Sequence, residues 1–428
     1  MEITFDLRWP SMPLSSLFAD FAALLHSPQF HERARHRDHV TAFRRRRKLP
    51  LPTLVAVMLC GMRKSVHAEL DEFFGHLRQQ ASLAHEVSEQ AFARARAKLA
   101  STALSYLNDW LLAHAECDVR VPRWHGLRLV AADATTVRFG LRASHVPRAA
   151  VADQIAFGLY LPGAEMMLAT SLHSVHENER QMLFEHLDRL DAQDLLLLDR
   201  GYPCRWLPAL LSRRGISFCI RVEKAGNGGF ACVRDFLRSG LTEQVVELRA
   251  PDRDDAVDYE CDRQPTTVRL VRHVASTGKI RVLMTNLFDA VRFPAAIIGD
   301  LYHQRWRIEE AFKRLKHRLA LEHVTGLSQL AVAQDLAAKI LCDNIHSLFS
   351  QAAHDAAQLP TERRINRTFA VTAMRPLLPL LLLGRATAQQ LVDALDLLAR
   401  RTYVHRPAKT RPRPTRPKPH KFMAMKAC

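Results

Sequence analysis

The densest run of chemistry-bearing side chains lies between Leu301 and Leu319. On one helix at about 100° per residue, Tyr302, Arg305, Glu309 and Lys316 fall within a stripe about 60° wide. Leu301, Ile308, Ala311, Phe312, Leu315 and Leu319 take the adjoining, core-facing side. An acid set between two bases and an aromatic, along roughly 21 Å of helix, suits a metal ion and a run of phosphates. An ordinary amphipathic helix edged with Glu/Arg/Lys pairs has the same look. Two further acids, Asp133 and Asp199, each close an apolar run that reads as a strand. Carboxylates at the carboxyl ends of neighbouring strands sit where α/β sheets bind ligands. With Glu309 added, three such charges repel strongly unless a cation lies between them. Three oxygen donors without His or Cys favour a hard ion, Mg²⁺ or Mn²⁺. A single strand-end Asp, by contrast, often only marks a turn.

The elements that must position these residues follow from periodicity. Residues 15–115 read as helical, with Gly61 as a break in the apolar stretch Leu51–Leu77. Ser88 is an N-cap for a basic, Ala-rich helix running to Leu99. Arg94 and Lys98 share one face of that helix, either as a DNA-facing surface or as a solvated basic edge. Leu127–Asp133 and Met166–His173 read as strands, and Asn178–Ala192 as a helix. Asp194–Asp199 is a wholly apolar run bounded by acids, the pattern of a central strand covered on both faces. Phe218–Val222, Gln244–Arg249, Thr266–Val274 and Ile280–Asn286 are β-like. From Pro294 to about Ala399 the chain is helical again.

The composition bears on partners. The 428 residues carry 61 Lys and Arg against 44 Asp and Glu, a formal charge of +17 and a pI near 9.9. That balance points to a polyanion, most often nucleic acid. Ten of the Lys and Arg residues lie in Arg400–Cys428, which has five prolines and no acid and reads as a disordered basic tail. Arg44-Arg45-Arg46-Arg47-Lys48 is a second basic cluster, with Arg45 and Arg46 as candidate phosphate contacts. The eight cysteines are scattered, which excludes a zinc ribbon and disfavours a secreted disulfide scaffold. The 21 histidines show no pattern that assigns them to a metal. No signal peptide and no membrane-length apolar run is visible, so a cytoplasmic protein with no membrane partner is expected.

The spacing Tyr302-x2-Arg305-x3-Glu309-x6-Lys316 resembles the Tyr-Arg-Glu-Lys signature of bacterial insertion-sequence DDE transposases of the IS-four type. Val130-Ala131-Ala132-Asp133-Ala134-Thr135 is similar to that family's first catalytic segment, and Leu198-Asp199-Arg200-Gly201-Tyr202 to its second. Gln304-Arg305-Trp306-Arg307-Ile308-Glu309-Glu310 is close to its wording around the catalytic Glu. The resemblance covers about residues 50–330. It implies an α/β fold: a ribonuclease-H-like catalytic core interrupted by a β-rich insertion, with helical N-terminal and C-terminal regions. The corresponding layout is a helical DNA-binding region at 1–120, core at 121–223, insertion at 224–279 and the remaining core with the Glu helix at 280–330. Helices follow at 331–399 and the basic tail at 400–428.

The same resemblance implies cleavage at transposon ends and strand transfer into target DNA, catalysed by Asp133, Asp199 and Glu309 with two Mg²⁺ or Mn²⁺ ions. Asp133 would bridge the ions, and Asp199 and Glu309 would hold one each. Arg305 and Lys316 would hold phosphates, and Tyr302 would bond a phosphate or stack on a base. The implied partner is double-stranded DNA, both terminal inverted repeats and target, bound by a dimer in the bacterial nucleoid. Two alternatives stay open: a non-catalytic DNA-binding repressor, and a structure-selective nuclease on the same core.

Overall fold

A computed structural model describes residues 14–45, 47–117, 121–140, 149–222, 229–275 and 278–404. Arg46 and most of the expected basic tail, 405–428, lie outside the described residues. The chain divides into two compact units. Among the described residues, one gathers 121–136 and 155–312, and the other 14–117, 137–154 and 313–404.

The first unit is built on one mixed sheet. Its strands are β1 (Arg123–Trp124), β2 (Leu127–Arg138), β3 (Asp153–Leu161), β4 (Met166–His173), β5 (Asp194–Leu198), β6 (Ser217–Arg221), β7 (Glu243–Leu248), β8 (Thr266–Val274) and β9 (Ile280–Thr285). Their order is β4-β3-β2-β5-β6-β9-β8-β7, with β1 added beside β2. β5 runs parallel to both neighbours, β2 and β6, whereas β3 with β4 and β6 with β9 are antiparallel. Every residue of β5 is buried. That explains its unbroken apolar run: a central parallel strand has no face for water. The fold is of the expected α/β class.

Three expectations need correction. β2 does not stop at Asp133 but continues to Arg138, so the acid lies within the strand. The helix after Asn178 spans only Glu179–Phe184 and gives way to a 3-10 turn at Leu187–Arg189. The segment 224–279 adds β7 and β8 to the core sheet through β9, so its strands extend the core's own sheet. The helix Ala295–His303, which follows β9, packs so closely on β8 that a Cβ on Gly299 would run into the His273 ring. A larger residue there would force that ring to move.

The second unit is helical and centres on the 28-residue helix Gln329–Ala356. Every residue from Ala338 to Ser350 is buried, as in a helix surrounded by others. It packs against Ala103–Cys117, Leu51–Leu59 and Ala388–Ala399. Its buried charges are all answered. Asp343 receives Arg314 at 2.8 Å and Arg367 at 3.1 Å, and these guanidiniums hold its carboxyl down at about 2 against the opposing effect of burial. Lys339 donates to the carbonyls of Ala320 and His323. Gly61 breaks the apolar stretch as expected, at φ +68°, between Leu51–Leu59 and Val66–Leu77. Ser88 does cap the next helix by accepting from Ala91 N–H, but that helix ends at Arg96. The first residues of the expected tail are ordered, since Thr402–Val404 pairs with Arg363–Ile365. No described helix is long and apolar enough to cross a membrane.

Candidate active site

The site begins with strand register. β2 and β5 pair in parallel as Arg128↔Asp194 through Ala131↔Leu197. Carrying the same register two residues further sets Asp133 level with Asp199, on strands about 4.8 Å apart. A buried ion pair fixes this register at the other end. Arg128 grips Asp194 with Nε–Oδ1 at 2.6 Å and Nη2–Oδ2 at 2.8 Å, the bidentate geometry that specifies orientation as well as attraction. Asp194 also accepts from the Asp191 N–H.

Asp199 follows the last residue of β5, where Arg200-Gly201-Tyr202 turns the chain. Its Oδ1 accepts the Gly201 N–H at 2.7 Å, and a Cβ at position 201 would stand 3.0 Å from that oxygen. The glycine allows this close approach. Asp133 is largely buried. Burial first, then the negative charges of Glu309 and Asp199, push its carboxyl up to about 7, although Arg305 and the Ala134 N–H pull the other way.

Glu309 comes from the first turn of the helix Trp306–Arg318. One turn later Phe312 packs over Gly158 of β3, where an added Cβ would meet the Phe312 ring at 3.0 Å. That contact seats the helix on the sheet and holds Glu309 beside the two aspartates. The expected single helix from Leu301 to Leu319 is in fact two, Ala295–His303 and Trp306–Arg318, with a turn at Gln304 and Arg305. Arg305 lies in that turn and is buried. Its Nη2 lies 2.7 Å from Glu309 Oε1 and its Nη1 3.6 Å from Asp133 Oδ2. Burial alone would lower its pKa, but Tyr302, Glu309 and Asp133 outweigh that and hold the guanidinium charged. Its Nε is buried without a hydrogen-bond partner.

Tyr302 is also buried, and desolvation pushes its phenol far above the usual range. In this arrangement its ring packs in the core and is not presented to a base. Lys316 belongs to the second unit, where it pairs with Glu322 at 3.8 Å. Of the N-terminal candidates, Arg94 and Arg45 are exposed. Lys98 lies beyond the end of its helix, half-buried, so it does not share a helical face with Arg94. The intervening Arg96 is buried and donates to Gln334, Thr325, Ala331 O and Asp335.

Sequence reading missed a fourth acid. Glu179 opens the helix after β4, capped by the Asn178 side chain. The next residue, Arg180, donates twice to the Gly201 carbonyl and so ties this helix to the Asp199 turn. Burial first, then Asp199, raises the Glu179 carboxyl, while Tyr202 hydrogen bonding opposes the rise. Tyr202 is fully buried, and its hydroxyl, though near Glu179, makes no hydrogen bond of good geometry among the described residues. A lone Glu behind an Asn cap looks like ordinary helix-dipole compensation, so the sequence offered no distinguishing signal.

Residues 124–345, just over half of the chain, match the family described as the transposase DDE domain. The chain is 24% identical over 269 residues to the transposase InsG for insertion sequence element IS4 of Escherichia coli (strain K12). That match spans 56% of this chain and 57% of the relative. A solved piggyBac transposase synaptic complex with hairpin DNA aligns over 92% of this chain and 88% of that one, at 10% identity and a TM-score of 0.45. The matched segment contains β2, β5 and the Glu309 helix, so the three acids lie inside it, and the chain belongs to the transposase DDE domain family.

Proposed function

We propose that this protein is a transposase that cuts DNA at the ends of an insertion sequence and joins them to target DNA. The observation that carries this reading is the grouping of Asp133, Asp199 and Glu309, two from one strand register and one from a helix seated on the same sheet. The donor set is all oxygen and suits Mg²⁺ or Mn²⁺. The guanidinium of Arg305 already answers two of the acids, which indicates that the cluster accepts positive charge. Asp133, Asp199 and Glu309 would hold two divalent ions, whose charge would activate the attacking oxygen and stabilise the leaving one. Both chemical steps are in-line displacements at phosphorus, first by water and then by the freed DNA 3′-hydroxyl. Arg305, released from Glu309 and Asp133 when cations occupy the cluster, would turn its fork to a phosphate near the scissile bond.

Lys316, Arg94, Lys98, Arg45 and Arg46 would bind backbone phosphates, which position DNA without reading its sequence. A dimer holding two transposon ends is the assembly this reaction requires. Asp133→Asn, Asp199→Asn and Glu309→Gln test the proposal. Each should abolish Mg²⁺-dependent cleavage of terminal-repeat DNA while gel-shift binding to the same DNA stays within a few fold. Near-normal nicking by any one variant removes that residue from the catalytic set. Cleavage without strand transfer by the parent protein favours the nuclease reading instead.

A further inference from the structure

The helical unit brings together three residues that are not adjacent in the sequence. His67 and Asp71 stand one turn apart on the helix Val66–Leu77, and His85 comes from the loop that leads to the helix Glu89–Arg96. His67 Nε2 lies 3.1 Å from Asp71 Oδ2, and His85 Nδ1 lies 3.1 Å from Asp71 Oδ1. The two imidazole rings stack with centroids 5.2 Å apart. One ligand atom from each residue falls within 4.8 Å of the others. Asp71 is buried while both histidines are exposed, so two nitrogens converge on one carboxylate from its solvent side.

We propose that His67, Asp71 and His85 form a binding site for a borderline divalent cation, Zn²⁺ foremost. Two imidazoles and one carboxylate are a donor set for zinc, not for the hard ions that suit the all-oxygen catalytic cluster. With metal–ligand bonds of about 2.0–2.1 Å in a tetrahedron, neighbouring ligand atoms stand roughly 3.3 Å apart. Each imidazole nitrogen stands 3.1 Å from its own carboxylate oxygen, His67 Nε2 from Oδ2 and His85 Nδ1 from Oδ1, within a few tenths of that value, and one donor atom from each residue lies within 4.8 Å of the others. Small rotations of two exposed rings would complete the geometry, and three protein ligands leave a position for water. The ring nitrogens facing Asp71 would present their lone pairs to the ion.

The backbone around the group is already fastened. Ala84 N–H donates to Asp71 O at 3.0 Å, and His67 N–H donates to Glu89 Oε1 at 3.1 Å. A bound ion would pin the loop containing His85 to the helix before it. It would thereby steady the start of the helix that presents Arg94.

The test titrates the full-length protein with ZnCl₂ in excess MgCl₂, which occupies the carboxylate cluster, and repeats the titration with Co²⁺ to report ligand type. One equivalent is expected to bind, with a cobalt spectrum of nitrogen and oxygen donors and no thiolate charge transfer. His67→Ala and His85→Ala, both at exposed positions, should each weaken it by more than about 10-fold. His76→Ala, on the same helix but outside the group, should retain it. Unchanged zinc binding in either His67→Ala or His85→Ala overturns the proposal, and so does a thiolate band in the cobalt spectrum.

Discussion

Arg305 and Asp133 together decide how the carboxylate cluster behaves without metal. Arg305 neutralises part of the negative charge, yet Asp133 still has its carboxyl raised to about 7, chiefly by burial. An unfolded aspartate titrates near 3.9. The folded state therefore holds a proton on Asp133 between about pH 4 and 7 that the unfolded state releases, and stability from this group is lost as pH rises through that window. In metal-free buffer, Asp133→Asn should be more stable than the parent above pH 7, with the difference vanishing below about pH 4. Thermal melts at several pH values check this, and a pH-independent difference means that Asp133 is not the titrating group. Glu179 invites a separate measurement. If its carboxyl fixes the Asp199 turn through Tyr202, Glu179→Gln should weaken Mn²⁺ binding by about 10–100-fold, the usual effect of losing an outer-shell partner. Calorimetry would measure the affinity. An unchanged Mn²⁺ affinity would confine Glu179 to capping its helix.

Among the elements, those read correctly were set by local pattern. β4 matches its expected bounds residue for residue, and β5 differs only by its terminal acid, because burial on one or both faces writes itself into a short window. The misreadings involved information that a short window lacks. No Gly or Pro marks the turn at Gln304 and Arg305, so a 3.6-residue period ran straight through it and missed the break, although it did set Arg305 beside Glu309. The joining of β7 and β8 to the core sheet depends on pairing with β9, which local periodicity does not encode. The three acids were legible because each followed a recognisable run, whereas the buried Arg96 network was hidden because its partners lie more than 200 residues away. The Arg128–Asp194 pair offers a prediction at this scale. Asp194→Asn removes the carboxylate charge that balances the buried Arg128 and should cost about 3–5 kcal/mol, while Arg128→Met with Asp194→Leu should recover most of it. Urea denaturation of the single and double variants measures both, and equal losses in the two would mean that the pair's charge is not what matters.

For the whole molecule, the excess of positive charge is unevenly spread along the chain. The segment 405–428 carries Lys and Arg without any acid. Its contribution to DNA affinity should be electrostatic and sequence-independent. Each phosphate neutralised adds about 0.9 to the slope of log affinity against log salt. Truncation after Val404 should lower that slope and weaken binding to random DNA, while cleavage of pre-bound ends survives. Titrations of both forms at several salt concentrations provide the check. Unchanged random-sequence binding with loss of paired-end complexes would make the segment an assembly element instead.

The parallel register of β2 and β5 also constrains how this chain can change over time. Arg128 and Asp194 precede Asp133 and Asp199, respectively, by five residues. In an extended strand an odd step reverses the face, so the ion pair and the acids point to opposite sides of the sheet. Substitutions among the apolar residues between them leave that arithmetic intact. A single inserted or deleted residue would turn the aspartate onto the wrong side, and a two-residue change would slide it about 6.6 Å along its strand. Between Arg128 and Asp133, and between Asp194 and Asp199, spacing is thus under stricter constraint than side-chain identity. Drift in this protein's descendants should appear there as replacement and never as a gap.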